Sequence, residues 1–112
     1  MGSHRLIYFR TDGNLQIATG HLMRCLSIAQ ACQVLSLPVC FLVSDEDSAS
    51  LLKQFDPAGT FPVRILSSAV YNDMEKELTE LLSLLSEAPS LLFVDSYFVT
   101  EPYLQAVSGI CP

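Results

Sequence analysis

A chain of 112 residues, half of them hydrophobic and 16% charged, can bury one core but not two, and it is too apolar for a disordered segment. Six Lys and Arg against twelve Asp and Glu give a formal charge of −6, and the scattered cations exclude a nucleic-acid partner. No apolar run approaches the roughly 20 residues of a membrane span, and the first ten residues lack a secretory layout, so we expect a cytoplasmic protein.

Residues 1–4, Met-Gly-Ser-His, are typical of an expression-vector remnant, so the domain is assigned to residues 5–112. The four cysteines include no CxxC pair. Cys25 and Cys32 fall in a helical pattern, and Cys40 falls in a strand pattern. These positions favour reduced, packed thiols over a disulfide framework or a metal site.

Hydrophobic runs and helical stripes alternate in the first half of the chain. Leu6 to Phe9 is a short apolar run that ends at Arg10 and is followed by turn residues, which predicts a first strand. Apolar residues then recur at steps of three and four, which predicts a helix over residues 21–36. Residues 38–43 are a second buried strand, and the acidic segment 44–47 favours the start of a shorter helix.

The second half repeats this alternation. Residues 63–66 predict a third strand, and an apolar stripe over residues 74–85 predicts an amphipathic helix. Residues 91–94 form a fourth apolar run. The segment Thr100-Glu101-Pro102 starts a last helix, since proline is tolerated in the first turn.

This βαβαβαβα order with continuous apolar strands predicts an α/β fold, a Rossmann-like parallel sheet with helices on both faces. The common strand order 3-2-1-4 would place the first and fourth strands side by side. The chain stops at residues 109–112, where the alternation leads us to expect another strand, so we predict a truncated domain.

Ligands of open parallel sheets bind beyond the carboxyl ends of the strands, and two polar loops lie there. The loop from Thr11 to Gly20 is longer than a simple βα connection of about 2 to 6 residues. The other loop runs from Asp95 to Phe98. GxGxxG and P-loop motifs are absent, but Gly20 places backbone amides at a helix amino terminus, a generic anion site. We expect a ligand crevice between these loops.

His21, in the first helical turn, is the candidate catalytic residue. The positive end of the helix dipole disfavours imidazolium, and a general base needs a neutral ring. Arg24 lies one turn on, so both side chains are expected to face outward into the crevice, away from the apolar stripe. Asp12 either orients the other ring nitrogen or holds a substrate hydroxyl, and the sequence leaves that choice open.

Simpler structural roles compete with these assignments. A histidine at a helix start often caps the helix or lies on the surface, and Arg24 could pair with a surface carboxylate. Asp12 could be a turn former, Asp95 could cap the following turn, and Tyr97 could be a half-buried aromatic. Composition and spacing alone do not separate these roles from ligand binding.

Three segments resemble a known family. Residues 10–14, Arg-Thr-Asp-Gly-Asn, are similar to the R-x-D turn of the UDP-sugar hydrolases of pseudaminic acid biosynthesis and the related spore-coat polysaccharide proteins. Residues 17–26, Ile-Ala-Thr-Gly-His-Leu-Met-Arg-Cys-Leu, resemble the G-T-G-H-x-x-R-C-L start of that family's first helix, with Ala18 in place of the first glycine. Residues 94–97, Val-Asp-Ser-Tyr, resemble its V-D-x-Y element.

The resemblance implies a GT-B type fold of two facing Rossmann-like halves, of which this chain is the amino-terminal one and lacks the carboxyl-terminal, nucleotide-binding domain. It implies metal-independent, cofactor-free hydrolysis of a UDP-activated sugar, in which His21 helps water attack the anomeric centre. The family positions and the crevice together define the predicted substrate-binding residues, which are Asp12, Gly20, Arg24, Asp95 and Tyr97.

Two alternatives remain. A glycosyltransferase of the same architecture would use an acceptor hydroxyl in place of water, and a non-catalytic α/β module would only bind sugar in the crevice. Because a cleft between two halves cannot close with one half, residues 1–112 alone are expected to be inactive.

Overall fold

The computed structural model describes residues 6–13, 20–70, 73–85, 91–95 and 98–109, and it contains all four predicted strands and all four predicted helices. The strands are β1 (Ile7–Thr11), β2 (Val39–Val43), β3 (Val63–Ile65) and β4 (Leu91–Asp95). The helices are α1 (Gly20–Val34), α2 (Glu46–Phe55), α3 (Leu78–Leu85) and α4 (Glu101–Ser108). A 3-10 turn, Met74–Glu77, forms the first part of the third predicted helix.

The four strands form one parallel sheet in the order β3-β2-β1-β4, which confirms the predicted α/β fold and strand order. In the pairing of β1 with β4, Thr11 lies opposite Asp95. The carboxyl ends of these two strands are therefore side by side. β4 lies at one end of the sheet order, and its five residues are all half-buried.

Each face of the sheet has its own apolar core. One core packs α1 and α2 against Ile7 and Phe9 of β1, and the other packs the 3-10 turn, α3 and α4 against Tyr8. The ring of Phe9 stacks between Phe41 and Phe93, at centroid distances of 5.3 and 4.9 Å. Helices therefore cover both faces, as the continuous apolar strands require.

Strand β1 extends two residues beyond its predicted apolar run. Because side chains alternate along a strand, Arg10 points to the same face as Tyr8, while Thr11 points to the face of Phe9. Arg10, at which the predicted apolar run ends, is fully buried. Its burial depends on partners from distant parts of the chain, which are described below.

Three cysteines, Cys25, Cys32 and Cys40, are free thiols, as predicted. Burial raises the pKa of Cys25 to about 11. Cys111 lies outside the described residues. In the parts of the chain that the structure describes, no helix is long and apolar enough to cross a bilayer.

Candidate active site

His21 and Asp95 meet at the carboxyl edge of the sheet. His21 is the second residue of α1, and Asp95 is the last residue of β4. The ring nitrogen Nδ1 of His21 is hydrogen-bonded to Oδ1 of Asp95. Because β1 and β4 pair in parallel, their carboxyl ends lie side by side. Helix α1 follows β1 in the chain, and its first turn is therefore close to the carboxyl end of β4.

Arg24 binds the same carboxylate from one turn further along α1. Its Nε lies 3.1 Å from Oδ2 of Asp95, and its Nη2 lies 3.1 Å from Oδ1. This is the paired geometry in which a guanidinium holds a carboxylate most firmly. We call His21, Arg24 and Asp95 the histidine cluster.

The contacts within the histidine cluster indicate which groups donate and which accept hydrogen bonds. Partial burial opposes ionisation of Asp95, but the hydrogen bonds from Arg24 and His21 outweigh it and hold the pKa of Asp95 below its usual value of 3.8. Asp95 is therefore an anion at neutral pH and can only accept hydrogen bonds. Nδ1 of His21 accordingly carries a proton and donates it, although Arg24 Nη2 lies 2.9 Å from the same nitrogen. In the neutral ring the basic lone pair is then on Nε2.

The predicted outward orientation is confirmed for Arg24 and wrong for His21. The side chain of Arg24 is 61% exposed, whereas that of His21 is only 7% exposed. Helix angle alone places both residues on one side of α1, but the imidazole of His21 is buried, and Asp95 and Arg24 contact its Nδ1. A ring so enclosed is held in one orientation, as a general base needs to be.

Gly20 is the first residue of α1 and is exposed. A Cβ atom at this position would lie 3.9 Å from Arg24 Nη1, at ordinary contact distance. The glycine thus lies beside the guanidinium at the helix tip. Tyr97, the other predicted sugar contact, and residues 14–19 of the first loop lie outside the described residues.

Asp12 lies in a different environment from the histidine cluster. It is 2% exposed, and its Oδ2 accepts a hydrogen bond of 2.9 Å from Arg10 Nη1. Its Oδ1 accepts from the backbone N–H of Ser44 at 2.7 Å and lies 3.3 Å from Ser48 Oγ. Asp95, and not Asp12, is the carboxylate at Nδ1 of His21.

Arg10 and Asp12 belong to a buried ion network that also includes Glu77 and Tyr103. Arg10 donates from Nε and Nη2 to the two carboxylate oxygens of Glu77, each at 2.7 Å. Tyr103 donates its hydroxyl to Glu77 Oε2 at 2.7 Å. Burial alone would lower the pKa of Arg10, but Glu77 and Asp12 outweigh it and raise that pKa further. Burial and the neighbouring Glu77 also raise the pKa of Tyr103, so its hydroxyl remains a donor.

Sequence reasoning missed Arg10, Glu77 and Tyr103. Glu77 lies 67 residues from Arg10 along the chain, and its place on the predicted helix is compatible with a solvated face. The one available signal was an arginine directly continuing a buried strand, since an arginine is almost never fully buried unless it is paired. Among the described residues, no group of three or more His, Cys, Asp or Glu side chains could hold a metal ion.

Comparison of the chain with protein-family models, curated proteins and solved structures gives no significant match. The resemblance to the UDP-sugar hydrolases therefore depends on the three short segments alone.

Proposed function

We propose that this domain is the amino-terminal half of a cytoplasmic enzyme that hydrolyses a UDP-activated sugar in surface-polysaccharide or nonulosonate biosynthesis. The substrate class follows from the resemblance of residues 10–14, 17–26 and 94–97 to the hydrolase family. In this proposal a second Rossmann-like domain of the same enzyme holds the nucleotide and closes the cleft. The sugar expected from the family is 2,4-diacetamido-2,4,6-trideoxy-β-L-altropyranose.

The observation that carries the proposal is the hydrogen bond from His21 Nδ1 to Asp95. A histidine that only caps a helix does not need a carboxylate from a distant strand. A general base does, because the carboxylate fixes the ring tautomer and stabilises the imidazolium that forms when the base takes a proton. The place of the pair, beyond the carboxyl ends of parallel strands, is also where such folds bind ligands.

In the proposed reaction, a water molecule attacks the anomeric carbon of the sugar. The new carbon–oxygen bond forms as the bond from that carbon to the UDP oxygen breaks, so UDP leaves with the bonding electron pair. Nε2 of His21 is buried in the described part of the chain, so the reaction requires that the attacking water reach it. Nε2 then takes a proton from that water. General-base assistance of this kind is typically worth about 10²- to 10⁴-fold in rate.

The other two members of the cluster have separate roles. Asp95 orients His21 and offsets the positive charge that the ring gains. Arg24, the exposed member, is suited to contact the substrate's hydroxyl or phosphate oxygens, because a guanidinium offers several donors in a fixed plane. Gly20 lies beside it at the tip of α1.

The test uses a protein in which this domain is joined to its carboxyl-terminal half. Incubation with the UDP-activated trideoxy sugar, without any acceptor, is expected to release free sugar and UDP in equal amounts. His21→Ala is expected to reduce kcat by about 10²- to 10⁴-fold. Ser27→Ala, at an exposed position on the same helix, is the matched control and should leave kcat unchanged.

The possible results separate the three functions. Turnover that requires an added acceptor would identify a glycosyltransferase instead of a hydrolase. Unchanged turnover in His21→Ala would remove this histidine from the mechanism. Binding of the UDP-sugar without any turnover would favour a non-catalytic module, and efficient cleavage by residues 1–112 alone would disprove the need for a second half.

A further inference from the structure

We infer that Glu77 is a positioning residue for the proposed reaction, acting through Arg10 on the carboxyl end of β1. The inference depends on the proposed role of His21, since a positioning residue needs a site to position. We assign the same positioning role to Asp12. Through Asp12, the buried ion network holds the first residues of the loop that leads to α1.

The contacts of Arg10 define the connection. Glu77 takes two of its donors, and the remaining nitrogen, Nη1, donates to Asp12 and to the backbone carbonyl of Thr11 at 3.1 Å. Glu77 therefore determines where the guanidinium lies, and the guanidinium determines where the end of β1 lies. Without the Glu77 carboxylate, Asp12 would be the only anion that the described residues place against the buried Arg10 cation.

Asp12 connects the buried ion network to β2 and α2. Its Oδ1 accepts from the backbone N–H of Ser44, directly after β2, and lies close to Ser48 in the first turn of α2. The hydroxyl of Ser48 in turn lies 3.1 Å from both the backbone nitrogen and the carbonyl oxygen of Gly13. The last described residues before α1 are thus fixed from two sides.

The same stretch of β1 sets the geometry of the histidine cluster. Thr11, whose carbonyl accepts from Arg10, lies opposite Asp95 in the parallel pairing. A displacement at Thr11 therefore changes the position of Asp95 relative to α1, which carries His21. In a catalytic site, a misplacement of about 1 Å can reduce the rate by roughly 10²-fold.

A purely stabilising role does not explain this network. Buried ion pairs are weak contributors to stability, because desolvation of the charges offsets their attraction, and well-packed apolar side chains often serve as well. The face on which Arg10 lies is otherwise an apolar core that includes Tyr8, Leu42 and Leu81. The charged side chains hold the carboxyl end of β1 in one position through directional hydrogen bonds, which apolar side chains would not form.

The experiment compares Glu77→Gln with Glu75→Gln, which makes the same chemical change at an exposed position of the same 3-10 turn. In the 112-residue chain, long-range proton–nitrogen NMR spectra report the ring nitrogens of His21 without requiring any activity. We expect Glu77→Gln to shift both ring nitrogens and to speed exchange of the Nδ1 proton with water. Glu75→Gln should leave them at their native values.

In the two-domain protein, Glu77→Gln is expected to lower kcat by roughly 10²-fold, with KM changed less than about twofold. The double variant Arg10→Met with Glu77→Leu covers the case in which Glu77→Gln does not fold, because it replaces the Arg10–Glu77 ion pair by apolar side chains. Asp12 loses Arg10 in this variant but keeps its hydrogen bonds from Ser44 and Ser48. We expect the double variant to be folded but to retain the altered His21 signals and the low kcat.

Native His21 signals and native kcat in the folded double variant would overturn the inference and leave the network a structural one. This outcome is distinct from failure of the proposed function. If His21→Ala retained full activity, the reaction would not use His21, yet the NMR comparison would still show whether Glu77 controls the ring.

Discussion

His21 and Asp95 are hydrogen-bonded to each other although 74 residues separate them in the chain. The contact joins the start of the first helix to the end of the fourth strand. Arg24 binds the same carboxylate, so one anion holds two cationic or proton-donating groups at the edge of the sheet.

Asp95→Asn is expected to lower kcat of the two-domain protein by about 10²-fold, because the amide no longer fixes the ring tautomer of His21 or balances its charge. Steady-state kinetics with the UDP-activated sugar would measure the change. Asp47→Asn, at an exposed position in the first turn of α2, is the matched control. Equal kcat values for the two variants would show that Asp95 has no part in the reaction.

Acid should weaken the fold partly through Asp95. Because the pKa of Asp95 is lowered in the folded protein, ionised Asp95 stabilises the folded state at neutral pH. That contribution is complete above the usual value of 3.8 and is lost as the pH falls below it through the folded-state pKa. Urea unfolding of native protein and Asp95→Asn between pH 7 and pH 3 should show a smaller loss in the variant. A loss of the same size in both would contradict the assignment.

Tyr103→Phe tests the buried ion network without creating a large cavity. The change removes the hydroxyl that donates to Glu77 while the ring continues to fill its fully buried position. The free energy of unfolding should fall by about 1.5–3 kcal/mol, the usual range for a hydrogen bond to a charged group. Urea denaturation measures it, with Gln105→Ala at an exposed position of α4 as the control. A change no larger than the control's would show that the hydroxyl adds nothing.

Cys25 should be the slowest of the described thiols to react with iodoacetamide. It is 2% exposed, and with a pKa of about 11 only about one thousandth of it is thiolate at pH 8. Cys40 is only half-buried. Peptide mass mapping after timed labelling would rank the sites, and labelling in urea should abolish the difference. Rapid native labelling of Cys25 would mean that its side chain is accessible.

The fold could be predicted because each element carried a strong local signal. Continuous apolar runs such as Leu91–Val94 indicate strands covered on both faces, and regular spacing indicates α1. The strand order then placed Asp95 near the start of α1. The predicted proximity of the loop after β4 to the start of α1 depended on this order.

Contacts between distant residues could not be predicted. In the sequence, Arg10 is one of several scattered cations, and no local pattern predicts that it pairs with Glu77 in the core. The burial of His21 could not be predicted for the same reason, because its partner Asp95 lies on a strand that is distant in the sequence. The catalytic role of His21 remains a prediction, as do the substrate contacts of Asp12, Gly20, Arg24, Asp95 and Tyr97.

The position of β4 at the rim of the sheet has a consequence for handling the protein. Its sequence, Leu-Leu-Phe-Val-Asp, has no lysine or proline that would discourage another chain from adding a strand. Concentrated preparations are therefore expected to self-associate through this rim. A polypeptide that paired with β4 would therefore also keep the protein dispersed.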